Sequence, residues 1–382
     1  MKLIYIANAR IPTEKAHGIQ IMEVCSAFAK EGLEVELIAP RRFNRIKNDP
    51  FRYYGKERNF KIKKLFCLDL IILDKYIGIT GLWAESLTFF FSTLFYMIFQ
   101  KVDVVYTRDK FFLPFSLIKK NIIFEAHTFP KNYYLYSFFL KRARRIVVIT
   151  QKLKNLLTES KISLDKILVA PDGVDLKEFN IKETKEECRQ KLNLPQDKKI
   201  ILYTGHLYQW KGADVLLEVA RKFSIDNYQF SNYLFIFVGG TEKDIVSFKK
   251  QAENLNNVLV VGHRPHSEIP YWLKAADVLV LPNSGEEDIS KFWTSPMKMF
   301  EYMASRRPIV ASDLPSIKEV LNERNAILVE PDNPEALAQG IKEALRNTQL
   351  SDKITEQAFQ GVQEYTWQKR AKNILEFINH SL

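Results

Sequence analysis

Apolar runs of strand length alternate with segments of helical period from one end of the chain to the other. Such alternation predicts parallel sheets covered by helices, because a strand buried on both faces reads as a continuous apolar run and its crossover needs a helix. In the first half, Leu3–Ala9, Val35–Pro40, Val102–Thr107, Ile122–Ala126 and Arg145–Ile149 predict strands. In the second half, Ile200–Thr204, Leu234–Val238, Val258–Val261, Val278–Leu281, Ile309–Ala311 and Ala326–Val329 do the same. Each half reads as its own doubly wound unit. A hinge is expected at Ala170–Asn180 (APDGVDLKEFN), where Pro171, Gly173 and acidic residues follow the strand-like Ile167–Ala170. The terminal stretch Tyr365–Leu382 has helical period through Trp367, Ile374, Leu375, Phe377 and Ile378 and is expected to cross back onto the first domain. The division expected is 1–172, completed by 365–382, and 173–364.

Open α/β sheets bind ligands at the carboxyl ends of their strands, so two such units joined by a hinge predict a cleft lined by those ends. After Thr204 comes GHLYQWKG and then an amphipathic helix. Glycine, the Lys211 ammonium and a helix amino terminus together suit a diphosphate, although a Gly-ended strand with a solvated lysine reads the same way. Further on, Ser295 is placed to cap a helix with Pro296 at its first position. Lys298 and Glu301 then share one face of that helix, either as a surface ion pair or as a phosphate contact beside a carboxylate that accepts from vicinal hydroxyls. Gly239 and Gly240 either allow close backbone approach to a ligand or make a tight turn. In the first half, Gly18 opens a helix expected over Ile21–Lys30, and Arg108 and His127 end two strands, each with a structural as well as a ligand-binding reading.

At 382 residues the chain fits two or three domains of about 100–200 residues. With 46% hydrophobic and 26% charged residues it is neither disordered nor fibrous. Cys25, Cys67 and Cys188 offer neither a disulfide framework nor a zinc cluster, which predicts a reducing compartment. Met1–Ala9 lacks the long apolar run of a secretory leader, so a cytoplasmic chain is expected. The net charge of +11 is unevenly spread: residues 1–180 carry 30 Lys+Arg against 18 Asp+Glu, or +12, and residues 181–382 carry 26 against 27, or −1. The first half therefore looks built to meet a polyanion. Within it, Arg41–Lys64 holds ten Lys+Arg against Asp49 and Glu57, interleaved with Phe43, Phe51, Tyr53, Tyr54 and Phe60. That mixture suits an anionic membrane, a single-stranded nucleic acid or a solvated loop. The run Leu87–Phe99 is thirteen residues long, which predicts a buried or interfacial helix rather than a span of roughly 20 residues.

The stretches GHLYQWKGADVLL, YLFIFVGG, VVGHRPHSEIPYWLKAADVLVLPN and SPMKMFEYMASRRPIVASDLPSIKEVL resemble the nucleotide-sugar domain of family 4 glycosyltransferases, retaining enzymes of the GT-B fold. APDGVDLKEF resembles their interdomain stretch, FEAHTFP their acceptor-domain strand and EYTWQKRAKNILEFI their crossing helix. The resemblance implies two Rossmann-like doubly wound domains facing across a cleft. It implies that Lys211 binds the donor diphosphate and Glu301 the ribose, with His206 standing where the family has arginine and Trp293 where it has a first, sugar-binding glutamate. Glu286, Glu287 and Asp288 are the acidic residues upstream that could reach the site by another path. Gly262–Arg264 resembles the segment that meets the nucleobase, Gly18 lies in a donor- and acceptor-contacting loop, and His127 resembles the histidine that approaches the transferred sugar. Arg108 is expected at a donor or acceptor phosphate.

The expectation from these readings is a metal-independent retaining transferase that moves a sugar from a nucleotide-sugar donor to a saccharide or lipid-linked acceptor. Lys211 and Lys298 would stabilise the departing diphosphate, since no Asp-x-Asp pair offers a divalent-ion clamp, and no cofactor is expected. An anionic membrane contacted through 41–64 and 87–99 ranks above nucleic acid, which is not expected as a partner. A nucleotide-sugar epimerase or hydrolase, or a non-catalytic polyanion-binding protein on the same fold, are the alternatives.

Overall fold

The computed structural model describes residues 1–130, 132–225 and 232–379. The chain divides into two compact units, Met1–Pro171 together with the segment from Trp367 onward, and Asp172–Thr366.

The first unit is built on a seven-stranded parallel sheet: β1 Lys2–Ile6, β2 Glu34–Pro40, β3 Lys61–Leu65, β4 Val104–Thr107, β5 Ile122–Ala126, β6 Arg145–Val148 and β7 Ile167–Val169. Their order is β3-β2-β1-β4-β5-β6-β7, so the winding direction reverses between β1 and β4. β3 is absent from the sequence-based strands because its residues, KIKKL, carry lysines where a core strand carries apolar side chains. It sits at the sheet edge, where exposed lysines keep the open ladder from pairing with another chain.

The stretch 41–64 is therefore not a loop. It contains the short helix Pro50–Tyr54, capped by Asp49, and then β3. Phe51, Tyr54 and Phe60 are buried, and Lys56 pairs with Glu23 at 2.5 Å, so much of this basic segment is packing against the helix Ala16–Lys30. That helix begins five residues earlier than its apolar period predicts, which puts Gly18 inside its first turn.

The apolar run near residue 90 forms the helix Thr80–Ile98, 19 residues long and apolar enough to cross a membrane by length and composition alone, longer than the sequence pattern predicted. One face, Glu85, Phe89, Thr93 and Met97 at four-residue spacing, is buried, with Phe89 and Met97 in the core beside Ile4, Val105 and Phe112. The opposite face leaves Trp83, Leu87, Phe91, Phe95 and Ile98 exposed.

The helix Trp367–Asn379 packs on the helix Ala16–Lys30 and buries Trp367, Arg370, Ala371, Ile374, Leu375 and Ile378. Arg145 stacks on the Phe377 ring at 4.7 Å and donates to the Phe377 carbonyl at 3.1 Å. Residues 380–382 of the terminal stretch lie outside the described residues.

The second unit repeats the winding with six parallel strands: β8 Lys199–Thr204, β9 Tyr233–Val238, β10 Val258–Gly262, β11 Val278–Leu281, β12 Ile309–Ser312 and β13 Ile327–Val329. The order is β10-β9-β8-β11-β12-β13, reversing between β8 and β11. Alternate residues of β8 serve the two faces: Ile200 and Leu202 pack with Trp272, Met299 and Phe300, whereas Ile201 and Tyr203 pack with Leu216, Val219 and Ile341. Burial on both faces is what makes the strand a continuous apolar run in the sequence.

Candidate functional site

In each unit most of the residues singled out from sequence lie at or just beyond the carboxyl ends of the strands, and only some of them stand beside the reversal of winding.

In the second unit the chain leaves β8 at Thr204, runs through Gly205 and forms a tight turn over Gln209–Lys211. Gly212 closes the turn with φ +70°, and a Cβ there would stand 1.7 Å from the carbonyl oxygen of Pro282, so only glycine lets the turn seat against the end of β11. Lys211 is thereby fixed, its ammonium 3.9 Å above the Trp210 ring. Burial lowers its pKa to about 8.

The helix Met297–Ala304 supplies the second cation. It is locked to β8 by Tyr302, whose hydroxyl accepts from the Thr204 N–H at 2.8 Å. Lys298 is buried, its ammonium lies 3.9 Å over the Tyr203 ring, and it has no hydrogen-bond partner among the described residues. Burial first, then the charge of Lys211, push its pKa well below the ordinary lysine value, against the pull of Glu301. Two ammonium groups that repel each other in a desolvated edge, one without a hydrogen-bond acceptor, are complementary to a multiply charged anion.

Lys298 and Glu301 are therefore not a surface ion pair. Glu301 is buried, with its Oε1 2.9 Å from Nε2 of His266, a residue the sequence reading passed over. The signal available was only its place in the loop after β10. Ser295 is not a helix cap: Pro296 holds the cap position without a side-chain bond, and the Ser295 hydroxyl accepts from the Asp172 N–H at 3.1 Å.

Gly239 has φ +122°, and its missing Cβ would lie 2.3 Å from the Gly205 carbonyl oxygen, so its close approach is to the neighbouring strand end. Gly240 packs under Leu207 and Ile245. His206 stacks on Tyr208 at 4.9 Å, and the Tyr203 hydroxyl donates to its carbonyl at 2.5 Å. Arg264 is exposed at the end of β10, 3.9 Å from Glu268. Trp293 has a buried indole nitrogen without a partner among the described residues, while Glu286, Glu287 and Asp288 are exposed.

The first unit brings Arg108 and His127 together in a pocket of about 300 Å³ that Asn8, His17, Asp109 and Lys110 also line. His127 Nε2 is 2.6 Å from Glu125, and Arg108 donates to Gln20 at 2.8 Å. Gly18 does not line this pocket. Its N–H donates to the Lys15 carbonyl at 2.9 Å, and a Cβ there would stand 2.2 Å from the Tyr54 hydroxyl, so the residue is small to let the helix pack. Glu125, Gln20, Tyr106 and Arg370, all buried behind the pocket, were missed from sequence. Only Glu125 carried a signal, standing two residues before His127 and so on the same side of the extended chain.

Comparison with known proteins supplies the family. Residues 184–361 match the family model for glycosyl transferases group 1, and residues 18–178 match that for glycosyltransferase family 4. The teichuronic acid biosynthesis glycosyltransferase TuaC of Bacillus subtilis is 29% identical over 198 residues, 51% of this chain and 45% of TuaC. A D-inositol 3-phosphate glycosyltransferase of Corynebacterium urealyticum is 25% identical over 221 residues, 55% of this chain and 50% of the relative. The match thus spans about half the length of these relatives. Among solved structures, sucrose-phosphate synthase from Thermosynechococcus elongatus aligns with a TM-score of 0.78 at 19% identity over 100% of this chain and 98% of its own. Anabaena HepE in complex with UDP-glucose aligns with a TM-score of 0.76 at 17% identity over 100% of both chains.

Proposed function

Because this chain belongs to the group 1 and family 4 glycosyltransferases and has the GT-B fold, we propose that it moves a sugar from a nucleotide-sugar donor to a hydroxyl of a saccharide or lipid-linked acceptor, with retention of configuration and without a metal ion. The observation that carries this reading is the pair of lysines at the end of β8, Lys211 half-buried on the turn and Lys298 buried on the helix Met297–Ala304. Lys211 ends a glycine-bounded turn, and Lys298 shares its helix with the Glu301 carboxylate, an arrangement that suits a diphosphate with a hydroxyl acceptor nearby. Two fixed cations stabilise a departing nucleoside diphosphate most as its charge grows in the transition state, which speeds the bond-breaking step rather than merely binding the donor. The acceptor hydroxyl attacks from the face the diphosphate leaves and gives its proton to that diphosphate, and the protein supplies orientation. UDP-glucose bound to HepE supports a nucleotide-sugar donor by likeness of fold.

The protein acts in the cytoplasm at the inner face of a membrane. The exposed Trp83, Leu87, Phe91 and Phe95 form an apolar stripe along the helix Thr80–Ile98, and the exposed Lys75 and Lys101 precede and follow that helix in the chain, a combination that suits an anionic bilayer surface.

The deciding experiment is calorimetry against a panel of UDP-, GDP- and ADP-sugars, repeated with a chelator, followed by NMR of the anomeric configuration of the product. Binding of one donor that survives chelation, and a product of unchanged configuration, support the reading. No binding across the panel overturns it in favour of a non-catalytic polyanion binder, and donor turnover without acceptor points to a hydrolase or epimerase.

A further inference from the structure

We propose that Arg370 and Glu125 are positioning residues: their buried ion pair sets the orientation of His127 and, through Gln20, of Arg108 in the pocket of the first unit. The inference rests on the transferase reading only in taking that pocket as the acceptor side.

Glu125 is wholly buried in β5. Burial alone would raise its pKa, yet it is held well below the usual carboxylate range, by Arg370 first and then by the His127 and Tyr106 donors. Four elements converge on it. Gln20 donates to Oε1 at 2.6 Å from the helix Ala16–Lys30, and His127 Nε2 lies 2.6 Å from the same atom. Arg370 reaches Oε1 at 3.0 Å from the helix Trp367–Asn379, and the Tyr106 hydroxyl of β4 donates to Oε2. Arg370 is itself pinned, its Nε donating to the Pro171 carbonyl at 2.9 Å.

An ionised carboxylate only accepts hydrogen bonds, and that decides two orientations. His127 must carry its proton on Nε2, which makes Nδ1 the basic nitrogen of the ring. Gln20 must turn its NH₂ toward Glu125, which turns its carbonyl oxygen to Arg108 NH1 at 2.8 Å. A buried ion pair is a poor device for stability, because a hydrophobic pair of equal volume does as well. Here His127 lines the pocket and Gln20 holds Arg108, which lines it too, so the cluster transmits the position of the last helix to the pocket wall.

The test uses the full chain and Glu125→Gln, Arg370→Lys and Arg370→Met, with the double variant Glu125→Gln/Arg370→Met, which removes both charges together, in case Glu125→Gln does not fold. Steady-state rates are read alongside nucleoside diphosphate affinity, thermal midpoint and the NMR titration of ¹⁵N-labelled His127. The charged groups around that ring are Glu125, Arg370 and Arg108, with His17, Asp109 and Lys110 on the pocket wall. Glu125→Gln is expected to lower kcat on the order of 10- to 100-fold, to leave diphosphate affinity within about twofold, and to move the His127 titration midpoint downward, since a neighbouring negative charge is lost. Arg370→Lys should recover most of the rate that Arg370→Met loses. An unchanged His127 titration in Glu125→Gln, or rates that only follow the thermal midpoint in every variant, overturns the proposal. The titration needs no transfer activity, so a wild-type chain that transfers no sugar defeats the transferase reading and leaves this one to be judged on its own.

Discussion

One imidazole bridges two carboxylates in the second unit: Nε2 of His266 is 2.9 Å from Oε1 of Glu301, and its Nδ1 is 3.7 Å from Oε2 of Glu178. Glu301 is thus aimed by a residue from the loop after β10, with the imidazole edge against Phe179. If Glu301 accepts from ribose hydroxyls, His266→Ala lets that carboxylate wander. Nucleotide affinity should fall about 10-fold, the worth of one hydrogen bond to a charged group. The preference for a ribonucleotide over its 2′-deoxy analogue should shrink in step, and calorimetry with both ligands reads each effect.

Lys298 should be costly to the fold and useful to the reaction. Its ammonium is buried without a hydrogen-bond partner among the described residues, and Lys211 repels it. Lys298→Met, similar in length and uncharged, should raise the thermal midpoint by about 2–4 °C for each kcal/mol relieved in a unit of this size. The same change should lower kcat by about 10²-fold or more. A variant that is less stable, or as active as wild type, removes Lys298 from the anion site.

Lys211 gives a pH signature. Its folded-state pKa is about 8 against 10.5 for an ordinary lysine. Below pH 8 both folded and unfolded chains carry the proton and the burial penalty is felt in full. Between about 8 and 10.5 the unfolded chain holds more protons, so this group's contribution to stability rises with pH. Diphosphate affinity should move the opposite way, falling as pH climbs through about 8, because the neutral amine no longer attracts phosphate. In Lys211→Met both slopes should flatten, which denaturant titrations and calorimetry over pH 7–10 would show.

The exposed stripe on the helix Thr80–Ile98 makes a separate prediction. Phe91 and Phe95 are 61% and 68% exposed, so replacing both with serine removes apolar area without opening the core. Binding to vesicles rich in anionic lipid should drop about 10-fold or more with the thermal midpoint unchanged. Wild-type binding that ignores anionic lipid and salt would assign the stripe to another partner.

Much of this was legible along the chain. Apolar runs such as Ile200–Thr204 and Val278–Leu281 mark strands because burial on both faces leaves no room for polar side chains. Glycine and lysine in GHLYQWKG mark a tight turn that carries a cation at a strand end, because turn geometry and charge are local properties. What local pattern could not show is which polar groups end up without water. Phe51, Tyr54 and Phe60 read as a surface mixture with their basic neighbours, yet they are buried, because β3 and the helix Ala16–Lys30 close over them. Lys298 and Glu301 read from sequence either as a surface pair or as a ligand contact, and the Tyr302–Thr204 bond that draws their helix onto β8 removes the surface reading. The Glu125–Arg370 pair has no sequence signature at all, since its partners stand in β5 and in the last helix. Periodicity reports the shape of each element from its own neighbours in the chain. The desolvation of a charge, and the partner that answers it, depend on elements far apart in sequence and arise only when those elements pack.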